Sequence, residues 1–481
     1  MIARDPHDAA DQHYDVIIVG GGVHGVFAAL EAARRGLRPL LLEARDFGQV
    51  TSANTLRIVH GGLRYLQSLD LARHRVSVAE QLFFARHLPE LVEPMACLMP
   101  LHQRGLKRRS VMRAALAVHD RLAAGRDGRL LPASRVVDAD EARRLFPQVR
   151  GEGLAGAALW HELVMISPAR VIIELLHWAC ACGATALNYM QVTALDCRAG
   201  RVCGVQAVDQ TNELEHRFRA PVVINCAGPA CAELASRLDR PQRGLFAPSL
   251  AFNLLLEVAP RSEQALAVQP PRPGAPVYFL MPLRGRLLAG TYHAPVEAPA
   301  GSAVPGRGQV EAMLADLNAA VPGLALRPEH VVRVCAGLVP ARRVGTDEAA
   351  TRACVLDHAR RGGPRGLISV RGVKFTTARR VAEQALQKAW RRCGRLPPHQ
   401  RHTERPKRRP PVDLIHPRQL LAGPDLPLAR ALHELIAHEA VVCLDDLIRR
   451  RTDWPACEPD EAALARRLRE LGVGHDLQTR A

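Results

Sequence analysis

The chain has 481 residues, a length that is too great for one small core and that indicates two or three domains. Its 65 Lys and Arg residues outnumber its 48 acidic residues, and the formal net charge of +17 suits an acidic substrate, an anionic membrane surface or nucleic acid; an Arg-rich composition without any partner explains it equally well. Aromatic residues make up only 4% and are not interleaved with basic ones as in proteins that stack single-stranded bases, so we expect no nucleic-acid partner.

The cysteines and the N-terminus bear on the cellular compartment. Twelve cysteines are scattered without a CxxC pair or a Cys/His ligand spacing, which favours reduced thiols in a cytosolic protein and predicts no metal site. The polar stretch from Met1 to Asp15 is typical of neither a signal peptide nor a transit peptide. No apolar run approaches the ~18 residues of a membrane-spanning helix. We therefore expect a cytoplasmic protein, and leave open a peripheral contact with the inner face of the cytoplasmic membrane.

The first predicted elements form a βαβ unit. The apolar run "DVIIVG" (Asp15–Gly20) ends in glycine and predicts a buried parallel strand. Apolar residues at helical spacing follow it and stop at Gly36, which predicts a helix. The run Leu37–Ala44 predicts a second buried strand, so the two strands would be joined by one crossover helix.

Helical and strand patterns alternate through the rest of the chain. In chain order they predict a helix at Leu71–Leu91, a basic helix within 103–125, a helix at Ser167–Gly183, short strands over 184–209, a buried strand at Ala220–Pro229, a hairpin at Val277–His293 and a strand, turn and helix over 366–386. Residues 396–412 are Pro-rich and basic, a composition typical of a linker. The segments that follow this linker show helical spacing again.

The strongest local motif is "GGGVHG", in which Gly20, Gly22 and Gly25 form GxGxxG. It follows a predicted strand, opens a predicted helix, and precedes Glu43 at the end of the next strand. In this context the glycines allow close backbone approach, the helix N-terminus takes a pyrophosphate and the acid binds a ribose hydroxyl. The motif therefore predicts a dinucleotide site. Its position before a long chain with a late "VVINCAGP" strand favours FAD over NAD.

Several segments in order resemble the FAD-dependent glycerol-3-phosphate dehydrogenase family, within the D-amino-acid-oxidase-like group of flavoproteins. They are "DVIIVGGGVHGVFAALEAARRGLRPLLLEARDF", "TSANTLRIVHGGLRYLQ", "VINCAGP", "LISVRGVKFTTARRVAEQAL" and "LIAHEAVVCLDDLIRRRTDW". The resemblance covers most of the chain, and its "HGGLRYL" and "GxKxTT" elements are specific to the family.

The fold expected on this basis is α/β. It comprises a Rossmann-type FAD-binding domain, a discontinuous substrate domain built on a mixed β-sheet, and a small C-terminal helical cap. We expect the FAD-binding domain at 12–100, 165–235 and 350–395, the substrate domain at 101–164 and 236–349, the linker at 396–412 and the cap at 413–481.

The resemblance also implies which residues contact FAD. Backbone atoms and small side chains would surround the nucleotide, and a cation at a helix N-terminus would face the flavin. The implied cofactor-binding residues are Gly20, Gly22, Gly25 and Glu43 for the ADP half, Thr51 and Ser52 near the pyrophosphate and the flavin, His60, Gly61 and Gly62 along the isoalloxazine, Val192, Ala227 and Gly228 near the nucleotide, and Gly372, Lys374 and Thr376 at the flavin pyrimidine edge.

The resemblance suggests catalytic roles for three residues. Oxidation of an alcohol needs a base for the hydroxyl proton, and His60 is the nearest candidate. Arg64 suits a phosphate or a carboxylate, and Lys374 would reach the substrate and stabilise an anionic reduced flavin. A histidine satisfied by the backbone, a surface salt bridge and a solvent-facing charge are the respective alternatives. The expected substrate-binding residues are Arg64, Tyr65, Tyr292, His293, Arg342 and Lys374.

The substrate half departs from the family pattern at three places. Val339 stands where a "GVRP" element has its arginine, although Arg342 and Arg343 follow closely; Pro248–Asn253 lacks the Lys and His of "KGSH"; and "GTTD" becomes Gly290–His293. Loss of one guanidinium removes charge-assisted hydrogen bonds of about 1.5–3 kcal/mol each. These departures leave the FAD prediction intact and leave the identity of the substrate open.

Three functions remain as alternatives from the sequence. The first is an FAD-dependent dehydrogenase that oxidises the secondary alcohol of a small anionic, phosphorylated polyol and passes electrons to quinone or another acceptor, with the basic segment Lys107–Arg113 docked on anionic lipid or simply solvated. The second is an oxidase or dehydrogenase of an amine, amino acid or hydroxy acid. The third is a flavin-binding partner module without turnover. A homodimer is also left open.

Overall fold

The computed structural model describes residues 1–102, 108–123, 131–148, 153–239, 245–272, 274–296, 304–391, 396–400, 403–406, 426–458, 460–474 and 477. The strands are β1 Val16–Val19, β2 Pro39–Leu42, β3 Ile58–Val59, β4 Val92–His102, β5 Arg135–Val137, β6 Leu154–Met165, β7 Thr185–Leu187, β8 Met190–Arg198, β9 Arg201–Asp209, β10 Glu215–Arg219, β11 Val223–Asn225, β12 Pro248–Leu256, β13 Ala265–Val268, β14 Tyr278–Leu283, β15 Arg286–Pro295, β16 Val331–Pro340, β17 Cys354–Asp357 and β18 Leu367–Arg371. The α-helices are α1 Pro6–Asp11, α2 Val23–Ala33, α3 Leu71–His87, α4 Arg109–Leu122, α5 Ala139–Leu145, α6 Pro168–Ala181, α7 Cys231–Leu238, α8 Arg307–Ala320, α9 Ala378–Trp390, α10 Leu426–His438 and α11 Glu461–Glu470.

The chain divides into two compact units. The first comprises Met1–Ala53, Ser167–Ser249 and Leu338–Ala481, and the second comprises Asn54–Ile166 and Leu250–Gly337. This boundary differs from the predicted one, which kept residues 54–100 with the FAD-binding domain. The reason is strand pairing: β3 and β4 both pair with β6, so this segment belongs to the sheet of the second unit. Its helical pattern at Leu71–Leu91 gave no sign of that sheet.

A six-stranded sheet organises the first unit, in the order β17-β18-β11-β1-β2-β7. All neighbouring strands are parallel except the β17–β18 pair. Strand β1 has the sequence "VIIV" and is buried along its whole length, as a central parallel strand with both faces covered requires. The predicted strands at the N-terminus and at "VVIN" are thus confirmed, and the carboxyl ends of β1 and β11 lie side by side.

A smaller antiparallel sheet, β10-β9-β8, completes the described sheet structure of this unit. Its apolar side chains belong to the same hydrophobic cluster as Val19 of β1 and Leu42 of β2. Val192 of β8 is a buried member of that cluster, and Ala227 packs against it. The strands that flank the dinucleotide motif and the smaller sheet therefore pack into one hydrophobic cluster.

The C-terminal segment contains α10, a π-helical turn at Asp446–Arg451 and α11, and it groups with the first unit instead of forming a separate one. Buried charges attach it to the nucleotide fold: Asp46 accepts hydrogen bonds from Arg450 Nε (2.6 Å) and from Arg451 Nη1 (2.6 Å) and Nη2 (3.0 Å). Burial alone would raise the pKa of Asp46, but the two guanidinium groups lower it to about 2.

Part of the predicted linker also packs on this unit. Of residues 396–412, the structure describes 396–400 and 403–406, and the others lie outside its description. His399 Nε2 lies 2.7 Å from Glu31 Oε2 on α2, and the Trp178 indole of α6 donates to the Thr403 carbonyl at 3.0 Å. The described residues of the predicted linker thus have specific partners, which a Pro-rich composition does not reveal.

The second unit is built on a sheet with the strand order β16-β12-β15-β14-β13-β4-β6-β3, to which β5 adds by pairing with β6. The long antiparallel pairing of β4 with β6 forms its centre, and the predicted hairpin is β14–β15. Helices α3 and α4 confirm the predicted helices in this part of the chain. No helix in the described ranges is both long enough and apolar enough to cross a bilayer.

Candidate functional site

Close backbone contacts require the glycines of the dinucleotide motif. Gly20 has φ +107°, and a Cβ there would lie 2.5 Å from the carbonyl oxygen of Cys226 at the end of β11. A Cβ at Gly25 would lie 1.8 Å from the Gly20 carbonyl oxygen. A side chain at either position would therefore push α2 away from the end of β1, as expected for this motif.

The N-terminus of α2 offers unpaired backbone donors. Gly22 is its N-cap, and the first helical hydrogen bond runs from the Val26 amide to the Gly22 carbonyl at 3.0 Å. Ser52 Oγ accepts from the Val23 amide at 3.1 Å, which leaves the amides of His24 and Gly25 ahead of the first helical bond. Such amides, together with the helix dipole, suit a pyrophosphate.

Glu43 lies at the end of β2, where the motif requires an acid. Its Oε2 accepts from the Gly21 amide at 2.5 Å, and its Oε1 accepts from the Arg45 amide at 2.9 Å. Burial raises the pKa of this carboxyl, although the two amides act in the opposite direction. The carboxyl is thus fixed beside the glycine turn, which is the place expected for a ribose-binding acid.

His24 joins the glycine turn to the segment that carries Lys374. Its Nε2 is buried without a hydrogen-bond partner among the described residues, and burial lowers its pKa to about 4. The imidazole covers Gly372, because a Cβ at Gly372 would lie 2.1 Å from His24 Cε1. Sequence reasoning missed this residue, although its place inside the glycine motif was a usable signal.

The remaining predicted residues of the first unit occupy three places. Lys374 is exposed and Thr376 is buried in the turn before α9, so the predicted helix start after "GVKFTT" is confirmed while the contacts with flavin stay a prediction. Thr51 Oγ1 donates to the Leu338 carbonyl at 3.0 Å. Gly228 has φ +55° and follows Ala227 after β11.

These residues fit FAD. The turn after β1 has no room for side chains, the first turn of α2 offers free amides, an acid closes the next strand, and a buried imidazole nitrogen has no described protein partner. When FAD is bound, this set would hold its pyrophosphate and its adenosine ribose.

In the second unit, His60 lies beside a buried acid that sequence reasoning also missed. Its side chain is 45% exposed, and its Nδ1 lies 3.7 Å from Oε1 of Glu162, which is 4% exposed. The ring of Phe279 lies 5.6 Å from the imidazole, centroid to centroid. His60 is therefore held between a carboxylate and an aromatic ring while part of it remains open to solvent.

Glu162 is fixed by three further donors. Its Oε2 accepts from the Gly61 amide at 2.6 Å and from Gln81 Nε2 at 3.0 Å, and its Oε1 accepts from the Trp160 indole at 3.1 Å. Burial would raise the pKa of Glu162, but His60, the Gly61 amide and the indole outweigh it, and the pKa is lowered. The acid is therefore ionised at neutral pH. No sequence pattern marked it, because its partners come from distant segments.

The glycine pair next to His60 also has partners within this unit. The Gly61 amide binds Glu162. Gly62 has φ +87°, and a Cβ there would lie 2.8 Å from Ser77 Cβ on α3. Packing on α3 thus excludes a side chain at Gly62, whatever else lies nearby.

Arg64 is exposed on a short 3₁₀ helix at Leu63–Ser68. Among the described residues, no carboxylate forms an ion pair with its guanidinium, which argues against the salt-bridge alternative. Its neighbour Tyr65 is half-buried and lies under the guanidinium of Arg73, 4.8 Å from its ring centroid. Arg64 is therefore available to bind an anion.

The other predicted substrate residues have contacts of their own within each unit. The Tyr292 ring is 5.1 Å from that of Phe252, and His293 follows it on β15. In the first unit, Arg342 is exposed and its Nη1 lies 3.6 Å from Glu348 Oε2. The substrate roles of Tyr292, His293 and Arg342 stay predictions.

Asn253 explains one departure from the family pattern. Its Oδ1 accepts from Thr291 Oγ1 at 2.8 Å, and its Nδ2 donates to the Asn54 carbonyl at 3.0 Å. A Cβ at Gly290 would lie 2.0 Å from Asn253 Oδ1. Two of the altered segments are therefore in direct contact, since Asn253 on β12 packs against Gly290 and binds Thr291 on β15.

Comparison with known proteins identifies relatives of this chain. A family model described as "FAD dependent oxidoreductase" matches residues 15–384. Glycerol-3-phosphate dehydrogenase 1 from Mycobacterium tuberculosis (strain ATCC 25618 / H37Rv) is 32% identical over 388 residues, which cover 78% of this chain and 72% of that protein.

Solved structures give the same fold. Glycerol-3-phosphate dehydrogenase from Bacillus halodurans, complexed with FAD, superposes with a TM-score of 0.69 at 21% identity and covers 98% of this chain and 93% of its own. L-proline dehydrogenase from P. horikoshii superposes with a TM-score of 0.59 at 14% identity and covers 80% and 96%. At these identities the two structures indicate a common fold, and they confirm the predicted α/β class.

Proposed function

We propose that this chain, which belongs to the FAD-dependent oxidoreductase family and to its branch of glycerol-3-phosphate dehydrogenases, oxidises the secondary alcohol of a small phosphorylated polyol such as glycerol 3-phosphate. The observation that carries the proposal is His60, partly open to solvent and backed by the ionised Glu162, four residues before an Arg64 that has no acidic partner in the described part of the chain. A base and an anion-binding cation are the groups that this substrate requires.

The cofactor residues supply the first part of the account. Gly20, Gly22, Gly25 and Glu43 would hold the ADP half, with Ser52 keeping the first turn of α2 in place. When bound, FAD accepts a hydride from the carbinol carbon of the substrate. The positive end of the α9 dipole and Lys374 would favour the negative charge that reduction places on the ring.

His60 performs the proton step in this proposal. Its imidazole takes the proton of the substrate hydroxyl while the hydride leaves the same carbon, so the alcohol becomes a ketone. The Phe279 ring, which itself lies against the ring of Trp160, covers one side of the His60 imidazole and would keep bulk water from it. Base catalysis of this kind contributes about 10²–10⁴-fold to a rate.

Arg64 binds the phosphate. A guanidinium makes two parallel hydrogen bonds to phosphate oxygens, which orients the carbinol carbon as well as attracting the substrate. Tyr65 is held by its contact with Arg73, which keeps the 3₁₀ helix in a defined conformation. An uncharged polyol would lack this interaction and would bind more weakly.

The electron acceptor is proposed to be a quinone, reached by peripheral contact with a membrane. Helix α4 supports this because its buried side carries Met112 and Leu116, whereas Arg109, Arg113 and the 46% exposed Val118 face solvent. Exposed arginines beside apolar side chains suit anionic lipid headgroups. Lys107, also part of this basic segment, lies outside the described residues.

Sedimentation with vesicles tests the membrane contact. The wild-type protein should bind phosphatidylglycerol vesicles and not phosphatidylcholine vesicles, and the double variant Arg109→Glu, Arg113→Glu should bind neither. Equal binding by wild type and variant would rule out α4 as the docking element.

A second candidate function is oxidation of an amine, amino acid or hydroxy acid with the same fold. It is favoured by Val339, which leaves one phosphate-binding arginine absent, and by the exposed turn that carries Arg342 with its partner Glu348. Oxygen-dependent peroxide production with such a substrate would support it.

Anaerobic flavin reduction by His60→Ala tests the base. The variant should retain FAD and bind the substrate, yet reduce its flavin about 10²-fold or more slowly than wild type. Normal reduction would remove the proton-transfer role from His60.

A further inference from the structure

We infer that Glu162 is a positioning residue for the reaction, which fixes the orientation and the tautomer of the His60 imidazole. The inference rests on the proposed function, in which His60 accepts the hydroxyl proton. It concerns a residue that no sequence motif marks and that contacts His60 only through the fold.

Strand register brings the two residues together. In the antiparallel pair formed by β3 and β6, Ile58 lies opposite Val164 and Val59 lies opposite Leu163. Continuing this register by one residue places His60 opposite Glu162. The two side chains on one face of such a pair lie within contact distance, so the pairing is a consequence of the sheet and not of a flexible surface.

The carboxylate is held rigidly. Glu162 is buried, and the Gly61 amide, the Gln81 amide and the Trp160 indole all donate to its carboxylate. Gln81 is itself fixed, because the same Nε2 also donates to the Val59 carbonyl at 3.0 Å. A buried carboxylate with this many donors keeps its charge and its position.

Contact with the carboxylate selects one tautomer of His60. The nitrogen next to Glu162 is Nδ1, 3.7 Å from Oε1, and a negative oxygen favours the form that carries its hydrogen on Nδ1. Nε2 is then the unprotonated nitrogen. In the reaction the proton of the substrate O–H bond would pass to Nε2, the electron pair of that bond would form the C=O bond, and the carbinol C–H bond would break with its electron pair leaving as hydride, for which bound FAD would be the acceptor.

Replacement of the charge without a change of shape tests the inference. FAD-loaded Glu162→Gln should keep its flavin spectrum and its substrate affinity, while anaerobic flavin reduction slows about 10²-fold. The matched control is Glu257→Gln, which removes an exposed carboxylate of the same unit that is paired with Arg286; it should leave the rate unchanged.

A double variant separates positioning from mere structural support. In the His60→Ala background, adding Glu162→Gln should cause no further loss of rate, because no base remains to be oriented. A loss as large as in the wild-type background would overturn the inference, and so would an unchanged rate in Glu162→Gln alone.

Chemical modification of His60 needs no substrate, so it tests the role of Glu162 independently of the proposed function. Diethyl pyrocarbonate modifies the unprotonated imidazole, and peptide mass spectrometry follows His60 alone. In Glu162→Gln the rate at which the reagent modifies His60 at neutral pH should rise relative to wild type, because the carboxylate no longer holds the imidazole in one orientation, and the other exposed histidines should be unchanged. If no phosphorylated polyol reduces the wild-type flavin, the proposed function fails, while this change in rate still decides the role of Glu162: its absence would overturn that role.

Discussion

The region predicted to hold FAD and the region around His60 are built in different ways. At the first, glycines lie against backbone atoms and the ligands are mainly amides, so the polypeptide itself forms the site. At the second, the side chains of His60, Glu162 and Arg64 supply the functional groups. Substitutions in the two regions should therefore have different effects. Changes in the first region should alter the retention of FAD, and changes in the second should alter turnover by a flavin that stays bound.

The largest expected effect comes from Asp46→Asn in the first region. The substitution removes the buried anion that the guanidinium groups of Arg450 and Arg451 share, and the loss of one partner of a buried ion pair typically costs about 3–5 kcal/mol. Arg450 keeps its pairs with Asp445 and Asp446, so the larger part of this cost should come from Arg451. We expect a lower thermal midpoint and early release of FAD on heating, measured by flavin fluorescence. The matched control is Glu233→Gln, whose pair with Arg237 is exposed on both sides and is worth less than about 1 kcal/mol.

Acid should act on the same contact. The folded pKa of Asp46 is about 2 against an ordinary value of 3.8, so its contribution is fully present above pH 3.8 and is lost as the pH falls toward 2. Wild type should lose stability over this window, and Asp46→Asn should lose less. Equal acid sensitivity of the two proteins would show that this carboxylate is not what joins the C-terminal segment to the fold.

Gly25→Ala should weaken FAD binding through the first region alone. The new methyl group would lie 1.8 Å from the Gly20 carbonyl oxygen, so the turn must open and FAD should bind about 100-fold or more weakly. Titration of the apoprotein with FAD measures this loss. Gly308→Ala, where no atom lies within 4 Å of the added carbon, is the control and should bind FAD normally.

Arg64→Gln tests the second region. Loss of a charge-assisted pair with phosphate costs about 1.5–3 kcal/mol, so KM for a phosphorylated polyol should rise about 10–100-fold while FAD stays bound and kcat changes little. Arg143→Gln, which removes an exposed arginine paired with Asp140, should leave KM unchanged. Release of FAD from the Arg64 variant would contradict the separation between the two regions.

The smallest expected effect concerns the pair His24 and Gly372. Gly372→Ala places a methyl group 2.1 Å from the imidazole, an overpacking that costs about 1–3 kcal/mol and should weaken FAD binding about tenfold. His24→Ala in the same chain provides room and should restore binding. If the double variant binds FAD no better than Gly372→Ala, the imidazole is not what requires a glycine there.

The two regions also differ in how far the sequence predicts them. Gly20, Gly22, Gly25 and Glu43 were identified because their spacing is local and one βαβ unit fixes their geometry. Glu162 could not be identified, because its hydrogen bond to the Gly61 amide joins residues 101 positions apart and depends on the register of β3 with β6.

The limits of the two compact units depend on long-range contacts in the same way. The contact of Asp46 with Arg450 spans 404 positions, so composition at 396–412 indicated a linker and a separate cap where the described residues pack onto the nucleotide fold. The segment 54–100 likewise showed helical spacing, while its membership of the second unit depends on the pairing of β4 with β6. Long-range pairing of this kind leaves no local pattern.

Anaerobic reduction of the bound flavin across a panel of substrates tests the central claim most directly. The panel comprises glycerol 3-phosphate, glycerol, lactate and proline, each added to the FAD-loaded wild-type protein without oxygen. We predict that glycerol 3-phosphate bleaches the visible flavin band, that glycerol does so only weakly because Arg64 finds no phosphate, and that lactate and proline leave the flavin oxidised. Bleaching by lactate or proline with none by glycerol 3-phosphate would contradict the account and favour the second candidate function.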